Sequence, residues 1–294
     1  MANLKEIRIR IASVQGTKQI TSAMKMVSAA KLRKAQDKII QMRPYANKLN
    51  EILINLIQSL ENELDSVFAS VRDVNRVLIV AISSNKGLCG AYNANVAKKV
   101  MHLLETDYKT LYDREKVDVI SIGKKGTELL KSRKVAITET HHEILDNLSY
   151  DLVKPLAKRI LSLFEKGQYD EVKIIYDQFR NAAVHDLVVE NFLPVKAPVK
   201  SVYEEQNHYD FIFEPTKSDI VRYLIPKSLK TQFYKAFLDS VASEHGARMT
   251  AMHKATDNAT EMIKSLQLEY NKARQANITK ELIEIVSGAE VLKG

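Results

Sequence analysis

The segment SSNKGLCGAYN, residues 83–93, has the clearest potential for chemistry in this sequence. It follows an apolar run and precedes a helical pattern, which is where phosphate-binding loops occur in α/β proteins. Gly87 and Gly90 would allow backbone amides to approach an anion. The segment lacks the GK[ST] ending of a P-loop and the G-x-G-x-x-G spacing of a dinucleotide fingerprint. The sequence therefore favours a tight strand-to-helix turn here and indicates no cofactor.

One cysteine and one histidine cluster are the other candidates for reactive or metal-binding side chains. Cys89 is the only cysteine. No histidine pattern near it would activate the thiol, so we expect a buried structural thiol. His141, His142 and Glu143 are adjacent, but no second cluster with ligand spacing occurs, so a solvated loop is favoured over a metal site. The sequence thus predicts neither catalytic nor metal-binding residues.

The net charge of +8 is concentrated at the N-terminal end. Residues 1–48 contain 11 Lys and Arg against two acids, Glu6 and Asp37, which is a surplus of +9. Such an end favours an acidic partner, which could be nucleic acid, an anionic surface or carboxylate-rich protein loops; a solvated helix face is the alternative. No apolar run approaches the roughly 20 residues that cross a bilayer, so direct membrane insertion is not expected.

Long helices are predicted at both ends of the chain. Steps of three and four residues between apolar side chains predict a helix over about the first sixty residues. The predicted apolar stripe consists of Leu4, Ile7, Ile11, Val14, Ile20, Met24, Val27, Leu32, Ala35, Ile39 and Met42. Pro44 should kink or interrupt this helix, because proline removes a backbone donor.

The C-terminal helix is predicted from about Ser228 to Ser287, a range without proline. Coiled-coil spacing relates one row, Met252, Ala259, Leu266 and Ala273, to a companion row, Ala255 and Met262. Glu269 stands where the companion row would continue, so we expect the seam to open or to meet another partner near it.

The period of the apolar pattern changes between these helices. The β-branched runs 77–83, 117–123 and 172–179 predict strands, and 135–139 is a weaker candidate. Helical stretches near 92–106, 124–132 and 149–166 separate them, which indicates a mainly parallel sheet. Residues 194–216 contain three prolines and predict an irregular passage. The predicted fold is α/β: a long antiparallel coiled coil of N- and C-terminal helices (1–65 and 211–294) with an inserted Rossmann-like α/β domain (70–210).

Four segments resemble the gamma subunit family of F-type ATP synthase. They are IRIRIASVQGTKQITSAMKMVSAAKLRKAQ, SSNKGLCGAYN, ARMTAMHKATDNATEMI and LEYNKARQANITKELIEIVSGAEVL. The similarity extends from residue 2 to about residue 292. It implies a non-catalytic central-stalk rotor that couples rotation of the membrane c-ring to conformational change at catalytic sites on other chains. It also implies that the chain regulates ATPase activity and proton flow.

The resemblance further implies partners and a location. The expected partners are three alpha and three beta subunits, the epsilon subunit and the c-ring, with one copy of this chain per complex and no nucleic acid. The expected location is the cytoplasmic side of the bacterial cell membrane, as a peripheral component.

Candidate contact residues also follow from the resemblance. Met24 and Lys25 match the segment near the acidic lever loops of the beta subunits. Polar positions of the C-terminal helix that match contacts with the α/β ring are Arg248, Arg274, Gln275, Thr279, Glu281 and Glu284. Phe211, Phe213 and Glu214 match the foot that meets the c-ring and epsilon, although relatives can carry Tyr where this chain has Phe.

Two other functions are compatible with parts of the sequence. A nucleic-acid-binding coiled coil would use the basic N-terminal helix and would bind in a strongly salt-dependent way. Residues 1–44 contain no aromatic side chain, however, so a stacking platform for single strands is lacking. A small enzyme built on the α/β domain would need a pocket with perturbed acids or bases.

Overall fold

The structure is a computed structural model that describes residues 4–59, 67–68, 72–182, 184–195 and 217–291. Its elements are, in chain order, α1 (Leu4–Ser59), β1 (Val77–Ile82), α2 (Tyr92–Glu105), α3 (Lys109–Tyr112), β2 (Val117–Ile122), α4 (Lys124–Ser132), β3 (Glu139–His141), a 3-10 turn (Glu143–Leu145), α5 (Tyr150–Glu165), β4 (Glu171–Phe179), β5 (His185–Leu193) and α6 (Lys217–Val291). The α/β class and the two long terminal helices are confirmed.

The five strands form one sheet in the order β3-β2-β1-β4-β5. The pairs β1–β2, β1–β4 and β2–β3 are parallel, and β4–β5 is antiparallel, so the prediction of a mainly parallel sheet is confirmed. The weaker strand predicted at 135–139 is wrong in position, because the short edge strand occupies 139–141. The strand β5 was not predicted, since its half-buried, mixed sequence HDLVVENFL lacks a long apolar run.

The centre of the sheet is fully buried. Every residue of β1 is buried, as expected of a parallel strand covered on both faces. Apolar residues of α2, such as Val96 and Val100, pack with β1 and β2 in the main cluster. At the end of β1, Ser83 Oγ accepts from the Gly126 amide at 3.2 Å. A Cβ atom at Gly126 would lie 2.2 Å from that hydroxyl, so glycine is required for this close approach.

The chain forms two compact units. One contains residues 29–248 with the whole sheet, and the other contains 1–28 with 249–294. The division into domains 1–65, 70–210 and 211–294 stays a prediction. Each terminal helix contributes residues to both units.

The helices of the second unit are antiparallel. The Arg8 guanidinium donates to the Tyr270 hydroxyl at 2.8 Å, and the Thr256 hydroxyl donates to the Thr21 hydroxyl at 2.8 Å. Moving 13 residues forward along α1 therefore means moving 14 residues back along α6. The antiparallel arrangement predicted from the sequence is thus present in this unit.

The seam of α1 differs from the predicted stripe in its middle. Ile20 and Val27 are 62% and 57% exposed, whereas Thr21 and Ser28 are buried. Steps of three and four residues continue without a break from Val14 through polar residues before apolar ones resume. The positions that follow this spacing are Ile7, Ile11, Val14, Lys18, Thr21, Lys25, Ser28, Leu32, Ala35, Ile39 and Met42, all buried or half-buried. The predicted stripe was wrong in its middle because it followed the apolar residues, whereas the buried positions keep to steps of three and four residues.

The companion row of α6 is also shifted by one residue. Met262 is exposed and Ile263 is buried, so the row is formed by Thr256, Ile263 and Tyr270. Glu269 is exposed, and Tyr270 at the seam position contacts Arg8. The seam therefore continues as far as Tyr270, and a contact with another partner near Glu269 stays a prediction.

Both long helices contain a proline. Helix α1 continues through Pro44, so the predicted interruption does not occur. Helix α6 begins at Lys217 and includes Pro226, so it starts earlier than predicted. A proline costs about 3 kcal/mol in a helix interior, and tertiary packing on either side can offset that.

Candidate functional site

The end of α6 extends beyond its partner helix. Arg8 is level with Tyr270, and α1 as described begins four residues before Arg8. All residues from Arg274 to Glu290 are exposed. We refer to residues 274–291 as the tip; at 1.5 Å per residue its 18 residues span roughly 27 Å. None of the described residues packs along this length of single helix, so other protein would be expected to cover it.

Polar and apolar side chains alternate around the tip. The predicted ring-contact residues Arg274, Gln275, Thr279, Glu281 and Glu284 all lie on it and are exposed. The Thr279 hydroxyl donates to the Gln275 carbonyl, and Lys280 lies 3.7 Å from Glu284. Among the described residues, the Arg274 guanidinium has no ion pair or hydrogen bond. Exposed apolar residues between them are Ile278, Leu282, Ile283, Ile285 and Val286. This surface can therefore offer both charge and apolar area to a partner.

Met24 and Lys25 lie on α1 beside an exposed apolar patch. Lys25 occupies a seam position, and both residues are half-buried. Ile20, Met26 and Val27 are exposed, and a groove of about 610 Å³ runs past Met26. Lys18 and Ile263 are among the residues that line this groove. The apolar side chains and neighbouring cations suit an acidic, partly apolar partner.

Arg248 lies in a different environment from the other predicted contact residues. Its guanidinium is buried and donates to the carbonyl oxygens of Lys86 and Gly87, at 3.0 and 3.2 Å. It also donates to Glu244 Oε1 at 2.7 Å. Burial raises the pKa of Glu244, and the positive charge of Arg248 opposes that rise. In this unit Arg248 therefore anchors the loop after β1, and its contact with a ring stays a prediction.

A neutral histidine completes the surroundings of Arg248. His245 Nδ1 lies 3.1 Å from Arg248 Nη1. Burial, reinforced by the charge of Arg248, lowers the pKa of His245 to about 4. The ring is therefore neutral near pH 7, and its Nδ1 accepts a hydrogen bond from the guanidinium.

The loop of residues 83–93 is held by buried polar contacts. Asn93 Oδ1 accepts from the Ser84 amide at 3.0 Å, and Asn93 Nδ2 donates to Cys89 Sγ at 3.2 Å. Tyr92 bonds through its hydroxyl to Ser240 of α6. Cys89 is buried, and burial raises the pKa of its thiol, which confirms the prediction of a buried structural thiol.

The orientation of this loop is the reverse of that of a phosphate loop. Phosphate loops direct N–H groups towards an anion, whereas here the carbonyls of Lys86 and Gly87 face the cationic Arg248. In open α/β sheets, ligands bind beyond the carboxyl ends of strands where the strand order reverses, here between β1 and β4. Near the carboxyl end of β4, the Ser243 hydroxyl of α6 donates to the Asp177 carbonyl at 3.0 Å. Residues 240–248 of α6 thus occupy this edge, and the prediction of a tight turn agrees with the geometry.

A buried acid–histidine pair in the β4–β5 hairpin was missed by the sequence reasoning. His185 Nδ1 lies 3.0 Å from Asp177 Oδ1, and Asp177 is buried. The hydrogen bond to Asp177 raises the pKa of His185, although burial opposes the rise. Asp177 and His185 lie on the two strands of a hairpin that was not predicted. Their proximity could therefore have been inferred only by recognising β5.

The histidine cluster is not the solvated loop that was predicted. His141 ends β3 and lies 3.3 Å from Glu139, which also forms an ion pair with Arg159. Within the described ranges, no group of three or more His, Cys, Asp or Glu side chains has the geometry of a metal site.

The foot residues Phe211, Phe213 and Glu214 lie outside the described residues. In the part of the chain that is described, no helix has the length and apolar character of a bilayer span.

These features define a class of protein. An exposed helical tip is available for contacts, and residues of α6 occupy the edge of the sheet at which α/β enzymes have their active-site crevice. The sequence profile of the ATP synthase family matches residues 3–292. The ATP synthase gamma chain of Flavobacterium johnsoniae is 55% identical over 294 residues, with all of both chains covered. That of Cytophaga hutchinsonii is 52% identical and covers 99% of each chain. The chain therefore belongs to the ATP synthase gamma-chain family.

A solved structure has the same fold. A chain in the cryo-EM structure of the Euglena gracilis mitochondrial ATP synthase (OSCP/F1/c-ring, rotational state 3) is similar with a TM-score of 0.66 and 22% sequence identity. The alignment covers 98% of this chain and 94% of that chain. A gamma chain is a non-catalytic subunit of the central stalk, the rotor of the synthase, and catalysis lies on the beta subunits.

Proposed function

We propose that this chain transmits torque between a membrane c-ring and the catalytic ring of three alpha and three beta subunits, with one copy per complex. The observation that carries the proposal is the exposed tip of α6. Burying its apolar residues would contribute about 25 cal/mol per Å², so a surrounding protein would be favoured. A rotor also needs contacts that can break and re-form, and scattered polar groups such as Arg274 and Gln275 suit that need.

The N-terminal segment offers a second contact with the ring. Met24 and Lys25 lie next to the exposed patch of Ile20, Met26 and Val27. A patch that combines apolar area with lysines suits loops that carry several carboxylates. We infer that the beta subunits contact the chain here and that these contacts regulate ATPase activity.

The remaining parts of the proposal rest on family membership. The coupling ion is the proton, and Phe211, Phe213 and Glu214 meet the c-ring and epsilon. The chain works at the cytoplasmic face of the bacterial cell membrane as a peripheral component of the complex. The foot contacts are tested separately from the tip contacts, by substituting Phe211 and Phe213 with Ala and measuring attachment to purified c-rings.

Reconstitution with matching alpha and beta subunits tests the proposal. We expect a stable complex containing one copy of this chain per three alpha–beta pairs, with ATPase activity that depends on the chain. A chain that neither enters the ring nor changes turnover would contradict the proposal. Binding of nucleic acid or nucleotide by the isolated chain would then support one of the two other functions considered above.

A further inference from the structure

A groove in the sheet-containing unit runs beside α1 and is not accounted for by the proposed contacts. We call it the Arg43 groove. It comprises two adjoining cavities of about 340 and 490 Å³ that share Ile39, Arg43 and Phe179. Along α1 it extends from Arg33 to Ala46, which at 1.5 Å per residue is about 20 Å. This length fits between three and four turns of a helix and exceeds the length of most small ligands.

Apolar side chains form part of the floor of the groove, beside the polar Gln178. Ile39, Phe179 and Leu238 are buried beneath it, and they come from α1, β4 and α6. Ile40 also lines the groove, yet it is 62% exposed. An exposed isoleucine at the edge of a partly apolar floor gives an occupant a surface against which to bury its own apolar side chains.

The rim of the groove carries a surplus of positive charge. Arg33, Arg43 and Lys235 line it, and none of them makes a hydrogen bond or an ion pair within 4 Å among the described residues. Arg180 is a fourth cation but is paired with Asp186 at 2.8 Å. Arg33 and Arg43 are exposed and Lys235 is half-buried. An occupant that covered these cations without supplying carboxylates would desolvate them at a cost, so an occupant that supplied carboxylates is favoured.

Two acids reduce this surplus without cancelling it. Asp37 lines the outer cavity and Asp239 the inner one. Burial raises the pKa of Asp239 to about 6, against the opposing effect of Lys235 and Arg43. Near neutral pH the groove therefore keeps a net positive charge.

We propose that the Arg43 groove binds an acidic, amphipathic segment of a partner subunit. The length of the groove, its partly apolar floor and its unpaired cations together favour a peptide segment with carboxylates flanking apolar side chains. The proposal rests on the proposed function, because it assumes that the chain works inside a multi-subunit complex.

Photo-crosslinking in the reconstituted complex tests this proposal. Cys89 is buried, so Ile40→Cys provides an accessible thiol that a benzophenone maleimide can label. We expect irradiation to join position 40 to one segment of a partner subunit with net negative charge and alternating apolar residues. Lys98→Cys, on the exposed face of α2, is the matched control and should not join to that segment.

Charge reversal then tests the chemistry of recognition. Arg43→Glu in the Ile40→Cys background should lower the crosslinking yield by about tenfold, Arg43→Lys should retain it, and Lys98→Glu should leave it unchanged. A neutral or basic crosslinked segment, or no crosslink in a complex that assembles and hydrolyses ATP, would overturn the groove proposal alone. Protection from labelling by free inorganic phosphate or ATP would also overturn it, in favour of a small-anion site. Failure of the unmodified chain to assemble would instead count against the proposed function.

Discussion

Arg248 and Arg274 lie on the same helix, yet one is buried in a polar network and the other is exposed on the tip. Arg248 makes hydrogen bonds to Lys86, Gly87 and Glu244. Arg274 has no such contact among the described residues. The resemblance to the family suggested one role for both, contact with the surrounding ring. The structure teaches that chemically identical side chains on one helix can be committed to the fold or left available to partners.

The largest expected effect is the loss of Arg248. Arg248→Ala leaves the buried Glu244 carboxylate without its ion-pair partner and releases two carbonyls of the loop. Removing one member of a buried pair costs about 3–5 kcal/mol of the free energy of unfolding. Urea unfolding of the full chain would measure the loss. Arg274→Ala, the matched control, should change the free energy by less than about 0.5 kcal/mol; similar losses for both variants would remove the contrast between the regions.

The second effect concerns the Asp177–His185 pair. His185→Gln replaces the cationic partner of a buried carboxylate with a neutral amide and should cost about 2–3 kcal/mol near pH 6. Because the folded-state pKa of His185 is raised, its stabilisation is fully present below the unfolded pKa and is lost as pH rises through the folded pKa. Asp177, Asp186 and the edge of the Tyr92 ring are the groups around it.

The measurement for this pair is urea unfolding at pH 5.5 and at pH 9. We expect the difference between the unmodified chain and His185→Gln to shrink at the higher pH. His253→Gln is the control, since His253 is exposed and pairs with Asp257 on the same helix. A pH-independent difference would mean that the ring contributes only by packing.

The third effect has the opposite sign. Ionised Asp239 is penalised by burial, which raises its pKa from 3.8 to about 6. Asp239→Asn should therefore increase the free energy of unfolding by about 1–2 kcal/mol at pH 7.5. The gain should vanish below about pH 4, where the carboxyl is protonated in both states. Asp113→Asn, at an exposed position, should show no gain; a loss of stability in Asp239→Asn at pH 7.5 would mean that the nearby cations outweigh burial.

The fourth effect tests the polar seam of the helical pair. The Thr21–Thr256 hydrogen bond joins the two helices, and Thr21 is buried. Either single change to Val should cost about 1 kcal/mol, because it removes the hydrogen bond between the helices. The remaining hydroxyl keeps only its bond to a carbonyl of its own helix, that of Lys18 or Met252. The double variant should cost less than the sum. Full additivity in this double-mutant cycle would show that the two hydroxyls are not coupled.

The central strands of the sheet could be predicted because buried strands have a characteristic apolar, β-branched composition. β1, β2 and β4 are runs of β-branched residues, and their observed bounds differ from the predicted ones by one residue at most. β5 lies at the edge of the sheet and has half-buried residues, so its sequence carries no comparable signal. Pairing with β4 across the hairpin stabilises it, and the apolar pattern of β5 alone cannot reveal that.

The helical seam shows a second limit of the sequence. Thr21 and Ser28 occupy buried positions, while the apolar Ile20 and Val27 lie outside. A prediction that places as many apolar residues as possible on the buried face of α1 therefore selects the wrong face. The tip residues could be assigned only by resemblance, since their polar side chains look the same as those of any solvated helix.

The smallest effect on stability is expected for substitutions at the tip. The tip also provides the most direct test of the central claim. The measurement is the number of protons pumped per ATP hydrolysed by the reconstituted membrane complex carrying Arg274→Ala and Gln275→Ala. Lys98→Ala is the control. We predict normal assembly and an unchanged free energy of unfolding, but altered turnover and less pumping per ATP than in the unmodified and control complexes. Loss of assembly, or pumping and turnover equal to those of the control, would contradict the claim that the tip serves coupling rather than the fold.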